Sequence, residues 1–313
     1  MLTILHISDL HFGPHFVEHV GEAVLRAAKE LPADVIVASG DFTQRAKRVE
    51  YARARAFLDR LPALPVVVVP GNHDVPVYRV FERLFEPYRL YNEFISSELD
   101  TVHRIENAVI VALNSTSPLR AIVNGRIDAW QLEFCARAFE DVEPGVARIV
   151  VAHHHFAPAP DFEGGQVMPG AKRAIDRFTD LGVELLLGGH LHRAYIGNSL
   201  DFYPGRDRDH GMIIVQSGTT TSRRGRARER EKNTLNLIRV GDDRVRVTHY
   251  MYFDELLGFA SVSRHLFPRP GRRFIAEQSG ELEEGIALSR PIGVPIPDEL
   301  VPSLRPDKLP DAT

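Results

Sequence analysis

The feature that most constrains the fold of this chain is a series of short apolar runs, each followed directly by polar residues. The runs are residues 2–7, 34–39, 65–69, 149–152 and 183–187. Their length and composition are typical of buried β-strands. The polar motifs that end or follow them are Asp9-Leu10-His11, Gly40-Asp41, Gly71-Asn72-His73-Asp74, His153-His154-His155 and Gly189-His190-Leu191-His192. Ligands bind outside the carboxyl ends of strands in open α/β sheets, so we expect these motifs to build one site.

Length and composition predict one compact enzyme domain. The chain has 313 residues, of which 44% are apolar, and this is enough to bury one large core. Its formal net charge of −4 gives no global positive field, so neither a membrane nor a stable nucleic-acid partner is expected. The single cysteine, Cys135, excludes an internal disulfide and a thiolate metal cluster. Without a signal-like segment or a long apolar run, we expect a cytoplasmic protein.

Strand-like and helix-like stretches alternate along the chain, which predicts an α/β fold. We predict helices at residues 17–31, 49–61, 128–139 and 172–181, and further strands at residues 108–113, 148–152, 212–216, 233–240 and 245–252. The last three strands have no helices between them and are expected to pair antiparallel. The resulting architecture is two packed mixed β-sheets flanked by helices, covering residues 1–253.

Residues 254–313 are predicted to form a proline-rich C-terminal arm. Eight of the 21 prolines lie after residue 260. Proline-rich chain stays extended and loses little entropy on docking. The arm therefore has three possible paths: it wraps its own domain, pairs with a second subunit to give a homodimer, or stays mobile.

The residue types in the motifs are those of a two-metal site. Asp9 and His11 leave an extended segment on the same side and can reach one ion. The carboxylate of Asp41 can bridge two ions, and Asn72 supplies a neutral amide oxygen. The imidazoles that complete the set are His153, His190 and His192, and with Asp41 shared each ion receives four ligands. Nitrogen and oxygen ligands without sulfur favour two ions of Mn, Fe, Zn or Co.

In these five motifs, taken in order, the chain resembles the calcineurin-like metallophosphoesterases. The resemblance implies that Asp9, His11, Asp41 and His192 hold one metal, and that Asp41, Asn72, His153 and His190 hold the other. It also implies that His73 is a catalytic histidine that binds no metal. The fourth motif departs from the family's pattern, because Phe156 and Ala157 follow the three histidines where a proline is usual. His153 is the preferred ligand since it lies nearest the strand end, and His154 is the alternative.

Two further site assignments each have an alternative. We assign Asp74 to the catalytic group, because it can orient the imidazole of His73; the alternative is that it caps the helix that follows. The basic run at residues 223–232 is either a solvated loop or a source of phosphate contacts. Arg223 and Arg224 are the candidates for such contacts.

The expected function is hydrolysis of a phosphodiester by attack of a metal-bound hydroxide. Within the family, the motifs around His11 and His73 are similar to those of small bacterial phosphodiesterases. That branch includes class III cyclic nucleotide phosphodiesterases and glycerophosphodiesterases, so 3',5'-cyclic AMP or another small phosphoester is the first candidate substrate. The alternatives are a phosphomonoesterase or phosphotriesterase, a DNA nuclease of the same family, and a non-catalytic scaffold similar to the retromer subunit with this fold.

Overall fold

The computed structural model describes residues 1–119, 123–158, 167–203, 211–226, 230–271 and 291–295, which form two six-stranded mixed sheets. The first sheet has the order β12-β11-β10-β1-β2-β3. Its strands are β1 (Leu2–Ile7), β2 (Val35–Ala38), β3 (Val66–Val68), β10 (Thr234–Val240), β11 (Arg244–Phe253) and β12 (Gly258–Pro268). The first three are parallel to one another, and the last three add antiparallel strands beside β1. All three parallel strands therefore end at the same edge.

The second sheet has the order β4-β5-β6-β7-β9-β8. Its strands are β4 (Thr101–Ile105), β5 (Ala108–Leu113), β6 (Ala147–Ala152), β7 (Leu185–Gly188), β8 (Tyr195–Asn198) and β9 (Ile213–Gln216). The four central strands are parallel, and β4 and β8 close the two edges antiparallel.

Three apolar clusters divide the molecule into four layers. The α-helices are α1 (Glu18–Glu30), α2 (Arg48–Leu58), α3 (Val80–Phe85), α4 (Arg89–Phe94), α5 (Ala129–Phe139) and α6 (Ala171–Asp180). Helices α1 and α2 pack on the outer face of the first sheet, and α5 and α6 pack on the outer face of the second. The third cluster lies between the sheets and consists of strand residues such as Ile4, Val37 and Ile149. The predicted fold of two mixed sheets flanked by helices is confirmed.

Alternate residues of β1 show how the layers form. Leu5 and Ile7 belong to the outer cluster beneath the helices, whereas Leu2 and Ile4 belong to the cluster between the sheets. Successive side chains of a strand point to opposite faces, so a strand covered on both faces must be apolar throughout. This explains why the strands appear in the sequence as continuous apolar runs.

One predicted strand pairing is wrong. β9 does not join the antiparallel group with β10 and β11, but pairs in parallel with β7 in the second sheet. The segment after it crosses from one sheet to the other, because Ser217 donates its backbone N–H to Gly188 and Thr220 donates to Ser8. The remaining antiparallel pair, β10 with β11, forms as expected. Strands β4, β8 and β12 and helices α3 and α4 were not predicted.

The first sheet continues past residue 253, where we placed the end of the catalytic domain. β12 pairs along its length with β11, and Phe259 bridges to Ile292. The side chain of Arg26 on α1 donates to the carbonyl of Gly293. The described parts of the arm therefore pack on their own chain, whereas residues 272–290 and 296–313 lie outside the described residues. The domain division, the homodimer and the cytoplasmic location stay predictions.

Arg269 joins the two sheets at the end opposite the polar motifs. This buried guanidinium donates through Nη2 to Oε1 of Glu184 (2.9 Å) and to the carbonyl of Gly145 (2.7 Å). Its Nη1 donates to the carbonyl of Gly241 (3.0 Å) in the turn between β10 and β11.

Among the described residues, no helix is both long and apolar enough to cross a membrane.

Replacement of Arg269 by alanine should lower the free energy of unfolding by about 3–5 kcal/mol, because it leaves the buried carboxylate of Glu184 without its cation. Urea unfolding of the metal-free protein measures this change. Arg173→Ala, at an exposed position of α6, is the matched control and should change the midpoint little. Equal midpoints for Arg269→Ala and wild type would show that this end of the arm does not stabilise the fold.

Candidate metal centre

The predicted ligand residues meet at one end of the sandwich, where the parallel strands of both sheets terminate. Asp9 and His11 follow β1, Asp41 follows β2, and Asn72 lies in a short 3₁₀ turn after β3. The second sheet supplies three histidines, His153 after β6 and His190 and His192 after β7. Every predicted ligand therefore follows the carboxyl end of its strand.

A first cluster contains Asp9, His11, Asp41 and His192, whose ligand atoms all lie within 4.8 Å of one another. Nε2 of His192 lies 3.3 Å from Oδ1 of Asp9. Nε2 of His11 lies 3.6 Å from Oδ1 of Asp9 and 3.6 Å from Oδ2 of Asp41. All four side chains are buried.

A second cluster shares Asp41 with the first. Nε2 of His153 lies 3.5 Å from the same Oδ2 atom of Asp41 that faces His11. The rings of His153 and His190 are 5.2 Å apart, and Nδ1 of His190 lies 2.9 Å from Oδ1 of Asn72. One carboxylate oxygen thus lies between two groups of nitrogen and oxygen atoms, as a bridging ligand requires.

The donor atoms of both clusters fit cations. Among the described residues, Oδ1 of Asp9, Oδ2 of Asp41 and Nε2 of His153 are buried without a hydrogen-bond partner. Buried carboxylate oxygens without a partner are costly, and a cation satisfies several at once. The opposite nitrogens of two rings are already committed, since Nδ1 of His153 donates to the Ser39 carbonyl (2.8 Å) and Nδ1 of His192 to the Arg224 carbonyl (3.0 Å). Such bonds fix the tautomer that leaves Nε2 free to bind metal.

Five of these residues adopt the left-handed backbone conformation, which is rare for residues other than glycine. They are Asp9 (φ 53°), His11 (φ 49°), Asp41 (φ 54°), His190 (φ 76°) and His192 (φ 54°). Strained backbone of this kind persists only where its surroundings enforce it, and it concentrates at functional sites. Here the N–H of Asp9 donates to the Gly40 carbonyl (3.0 Å), and that of His11 to the Asp41 carbonyl (2.9 Å).

Gly71 allows the third motif to approach the bridging carboxylate. A Cβ atom at this position would lie 2.1 Å from Oδ1 of Asp41, far inside van der Waals contact. That same oxygen accepts a hydrogen bond from the backbone N–H of His73 (2.8 Å). One oxygen of Asp41 is therefore held by the chain while the other is left for metal.

Burial and neighbouring charges set the pKa values in the site. Burial lowers the pKa of His192 to about 3 and lowers the pKa values of His11 and His190 well below their usual value. At neutral pH these rings are neutral and offer a lone pair, as metal ligands must. Burial also opposes protonation of His153, but the carboxylates of Asp41 and Asp9 and the Ser39 carbonyl together raise its pKa to about 9. A bound cation would have to displace that proton.

The imidazole of His73 lies beside the first cluster but is held by other groups. Its Nδ1 donates to the carbonyl of Gln44 (2.9 Å), and Nη1 of Arg224 donates to its Nε2 (2.8 Å). The rings of His73 and His11 are 4.9 Å apart and nearly perpendicular. His73 thus lies next to the candidate metal ligands, with both of its ring nitrogens hydrogen-bonded to other groups.

Asp74 does not orient His73, so the prediction that it does is wrong. Its buried carboxylate accepts hydrogen bonds from the backbone N–H groups of Gly71 (2.9 Å), Phe42 (3.1 Å) and Thr43 (2.8 Å). The carbonyl of Gln44 orients the imidazole instead. Burial, reinforced by the charge of Asp41, raises the pKa of Asp74 to about 7 despite these donors. Asp74 holds the two ligand loops together, which is closer to the capping role.

The three consecutive histidines take different roles. Nε2 of His153 faces Asp41, whereas Nδ1 of His154 pairs with the hydroxyl of Ser115 (2.8 Å). The geometry therefore favours His153 over the alternative. The ring of His155 is stacked on that of His190, with 5.5 Å between centroids and 12° between planes. His155 was given no role from the sequence, because spacing alone does not show which ring packs on which.

Buried hydroxyl residues form hydrogen bonds to the backbone of the loop that carries Asp9 and His11. Thr219 Oγ1 donates to the carbonyl of Asp9 (2.8 Å), and Thr221 Oγ1 donates to the carbonyl of Leu10 (2.8 Å). Both belong to the crossing segment between the sheets, residues 217–222, which leads directly to Arg224. The same segment thus supports the first ligand loop and places the guanidinium beside His73.

A cavity of about 430 Å³ opens over the metal ligands. Its walls are formed by Asp41, Gln44, Arg45, Asn72, His73, Val75, Val77, Tyr78, Val123, His190, His192, Arg224 and Arg226. Of the two predicted arginines, Arg224 lines the cavity, and Arg223 is exposed and does not. Arg45 and Arg226 were missed, because nothing in their local sequence distinguishes them from surface arginines.

A family model for calcineurin-like phosphoesterases matches residues 2–194. The chain belongs to the calcineurin-like phosphoesterase family. It is therefore a metal-dependent phosphoester hydrolase, and its donor set is a candidate dinuclear metal site.

Among its relatives, a probable cyclic nucleotide phosphodiesterase of Synechococcus is 29% identical over 210 residues, or 62% of this chain and 75% of that protein. UDP-2,3-diacylglucosamine pyrophosphatase of Chlamydia trachomatis is 27% identical over 54% of this chain and 62% of its own length. The structure of a purple acid phosphatase from yellow lupin is similar in fold, with a TM-score of 0.66 at 12% identity. That match covers 86% of this chain and 54% of the lupin chain.

Addition of Mn²⁺ to metal-free protein should raise the free energy of unfolding, because metal would satisfy the unpartnered oxygens of Asp9 and Asp41. The gain is about 2.7 kcal/mol when the ion is present at 100 times its dissociation constant. Asp41→Asn should abolish most of this gain and reduce the metal content measured by mass spectrometry from two ions to fewer than one. Asp59→Asn, on the protein surface, is the control. Full metal content in Asp41→Asn would refute the bridging role.

Proposed function

We propose that this protein is a two-metal phosphodiesterase that hydrolyses a small phosphodiester in the cavity above Asp41. The observation that carries the proposal is the single buried carboxylate oxygen facing both His11 and His153, next to a cavity lined with arginines. This arrangement combines a site for two cations with positive charge for a phosphate anion.

The proposed ligand sets are those that the two clusters define. Asp9, His11, Asp41 and His192 would hold one ion, and Asp41, Asn72, His153 and His190 would hold the other. Mn, Fe, Zn and Co all suit these nitrogen and oxygen donors. Two such ions, when bound, polarise phosphoryl oxygens and activate water for attack. No cysteine or serine nucleophile is needed, and Cys135 is buried on the core-facing side of α5.

His73 and Arg224 are proposed to act on the substrate directly. Arg224 donates to Nε2 of His73, so both groups face the cavity at the same point. When a phosphate enters, the guanidinium of Arg224 can donate to its oxygens and release Nε2. Once released, Nε2 takes up a proton from solvent and passes it to the departing alkoxide, while the Gln44 carbonyl accepts from Nδ1 and keeps the ring in place.

The phosphodiester class is favoured by the cavity and by one relative. A volume of about 430 Å³ falls within the ordinary range for small-molecule sites. The relative from Synechococcus is described as a probable cyclic nucleotide phosphodiesterase, so 3',5'-cyclic AMP is the first natural substrate to test. The relative from Chlamydia is a pyrophosphatase, which adds pyrophosphate diesters to the panel. The intact His73 and full donor set disfavour a non-catalytic scaffold.

The test compares bis-p-nitrophenyl phosphate, p-nitrophenyl phosphate, cyclic AMP, a pyrophosphate diester and single-stranded DNA as substrates of Mn-loaded wild type and Asn72→Ala. We expect turnover that depends on metal, is fastest on diesters and is lost in the variant. Preference for the monoester would indicate a phosphatase, and rapid cleavage of DNA would indicate a nuclease. No hydrolysis of any substrate by metal-loaded protein would support the scaffold.

His73→Ala should retain both metal ions and lower kcat on bis-p-nitrophenyl phosphate by roughly 10²- to 10⁴-fold, as expected for loss of a general acid. Metal content and kcat are measured on the same preparation. His103→Ala, on β4 away from the cavity, should resemble wild type. Near-normal turnover in His73→Ala would exclude the catalytic role.

Arg224→Ala should lower kcat/KM on diesters by roughly 10- to 100-fold, through loss of a charge-assisted contact to phosphate. Arg223→Ala is the matched control, because this neighbouring arginine is exposed outside the cavity, and its kcat/KM should stay within about twofold of wild type. Equal losses in the two variants would show that the charge acts through the general field and not through contact.

A further inference from the structure

The mouth of the catalytic cavity is bordered by an exposed apolar surface. In the described residues, fourteen large hydrophobic side chains are exposed, and seven of them lie at residues 78–85 or at Leu119 and Val123. We name as the apolar rim the side chains of Tyr78, Phe81, Leu84, Phe85, Leu119 and Val123. Such clustering differs from the scattered hydrophobic residues of ordinary surfaces and marks an interaction site.

In helix α3, the side chains of the apolar rim do not contribute to the buried core. Phe81, Leu84 and Phe85 have i, i+3 and i+4 spacing and share one face of this helix. Phe81 and Phe85 are 80% and 77% exposed, and no residue of α3 is buried. The segment is attached through polar contacts, in which Arg79 donates to the Ala46 carbonyl (2.8 Å) and Arg83 to the Val77 carbonyl (2.7 Å). Its apolar face is therefore available to a ligand.

The rim is continuous with the cavity wall. Tyr78 and Val123 belong to both, and Val77 lines the cavity between Tyr78 and the catalytic motif. The charged groups of the wall are Arg45, Arg224 and Arg226, together with the metal ligands. The cavity wall thus combines candidate metal ligands and arginines with the exposed side chains of Tyr78 and Val123. A molecule complementary to both kinds of side chain carries a phosphate at one end and a hydrocarbon chain at the other.

We propose that the substrate is an amphiphilic phosphodiester whose alkyl or acyl chain lies on the apolar rim while its phosphate occupies the metal site. This inference rests on the proposed function and specifies its substrate class. Transfer of the chain from water to the rim lowers KM, because every methylene group removed from water contributes to binding. Phe81 and Phe85 belong to the rim but do not line the cavity, so their replacement leaves the cavity wall unchanged.

The experiment uses p-nitrophenyl diesters that differ only in the second alcohol, methyl against octyl, below the micelle-forming concentration. The readout is the ratio of kcat/KM for octyl over methyl in each Mn-loaded protein, so that any change common to both substrates cancels. Wild type should show a ratio of roughly tenfold or more. The double variant Phe81→Ser with Phe85→Ser should bring the ratio to within about threefold of one. Val262→Ser with Leu266→Ser, two exposed apolar positions on β12, should retain the wild-type ratio.

Binding of octyl phosphate and methyl phosphate, followed by calorimetry on Mn-loaded protein, separates this inference from the proposed function. Suppose that neither diester is turned over, that wild type binds octyl phosphate more tightly than methyl phosphate, and that the Phe81/Phe85 variant loses this preference. That result would reject the phosphodiesterase activity but support binding of an alkyl chain at the apolar rim. The proposal would be overturned if wild type showed no preference for the octyl compound in kcat/KM or in binding. It would also be overturned if the Phe81/Phe85 variant kept the same preference as wild type. A wild-type dimer that becomes monomeric in the variant, seen by sedimentation, would instead assign the rim to a second copy of the chain.

Discussion

Packing between the two sheets sets the geometry on which the site depends, because neither sheet holds a complete set of ligands. The first sheet supplies Asp9, His11, Asp41 and Asn72, and the second supplies the three histidines. The apolar cluster between the sheets, with members such as Ile4 and Ile149, fixes their separation. Interiors are close-packed and deform little, so this cluster determines whether Oδ2 of Asp41 can lie between His11 and His153. The distances from this oxygen to Nε2 of His11 (3.6 Å) and to Nε2 of His153 (3.5 Å) therefore depend on how the two sheets pack.

The conformation of the ligand loops also carries costs in free energy of folding. Two carboxylates, Asp9 and Asp41, are fully buried with one oxygen each unpartnered, and five ligand residues occupy left-handed backbone. Each feature opposes folding by a kcal/mol or more. Hydrogen bonds from Gly71 and Thr43 to Asp74, together with those from Thr219 and Thr221, hold the loops in place. The site is thereby prepared for cations before they bind.

Much of this could be predicted from the sequence, because apolar runs and the polar residues that follow them are local signals. The strands that end at Ile7 and Ala152, and the convergence of Asp9 with His153, follow from that pattern. The sheet to which β9 belongs could not be predicted, since it depends on contacts of Ser217 with Gly188 far along the chain. For the same reason Asp74 was assigned to His73, its neighbour in sequence, whereas the carbonyl of Gln44 holds the ring. The apolar rim was missed because Phe81 and Phe85 have the spacing of an ordinary buried helix face.

The crossing segment has a consequence for how the site can move. Residues 217–222 bond to the backbone of Ser8, Asp9 and Leu10 and lead into Arg224, whose carbonyl accepts from His192. The guanidinium of Arg224, the loop that carries Asp9, and His192 thus belong to one hydrogen-bonded unit. A displacement of the Arg224 backbone away from the cavity would therefore strain the hydrogen bonds that hold the Asp9 loop and His192. Any substitution that loosens residues 217–222 is therefore expected to disturb Arg224, the Asp9 loop and His192 together, and not the arginine alone.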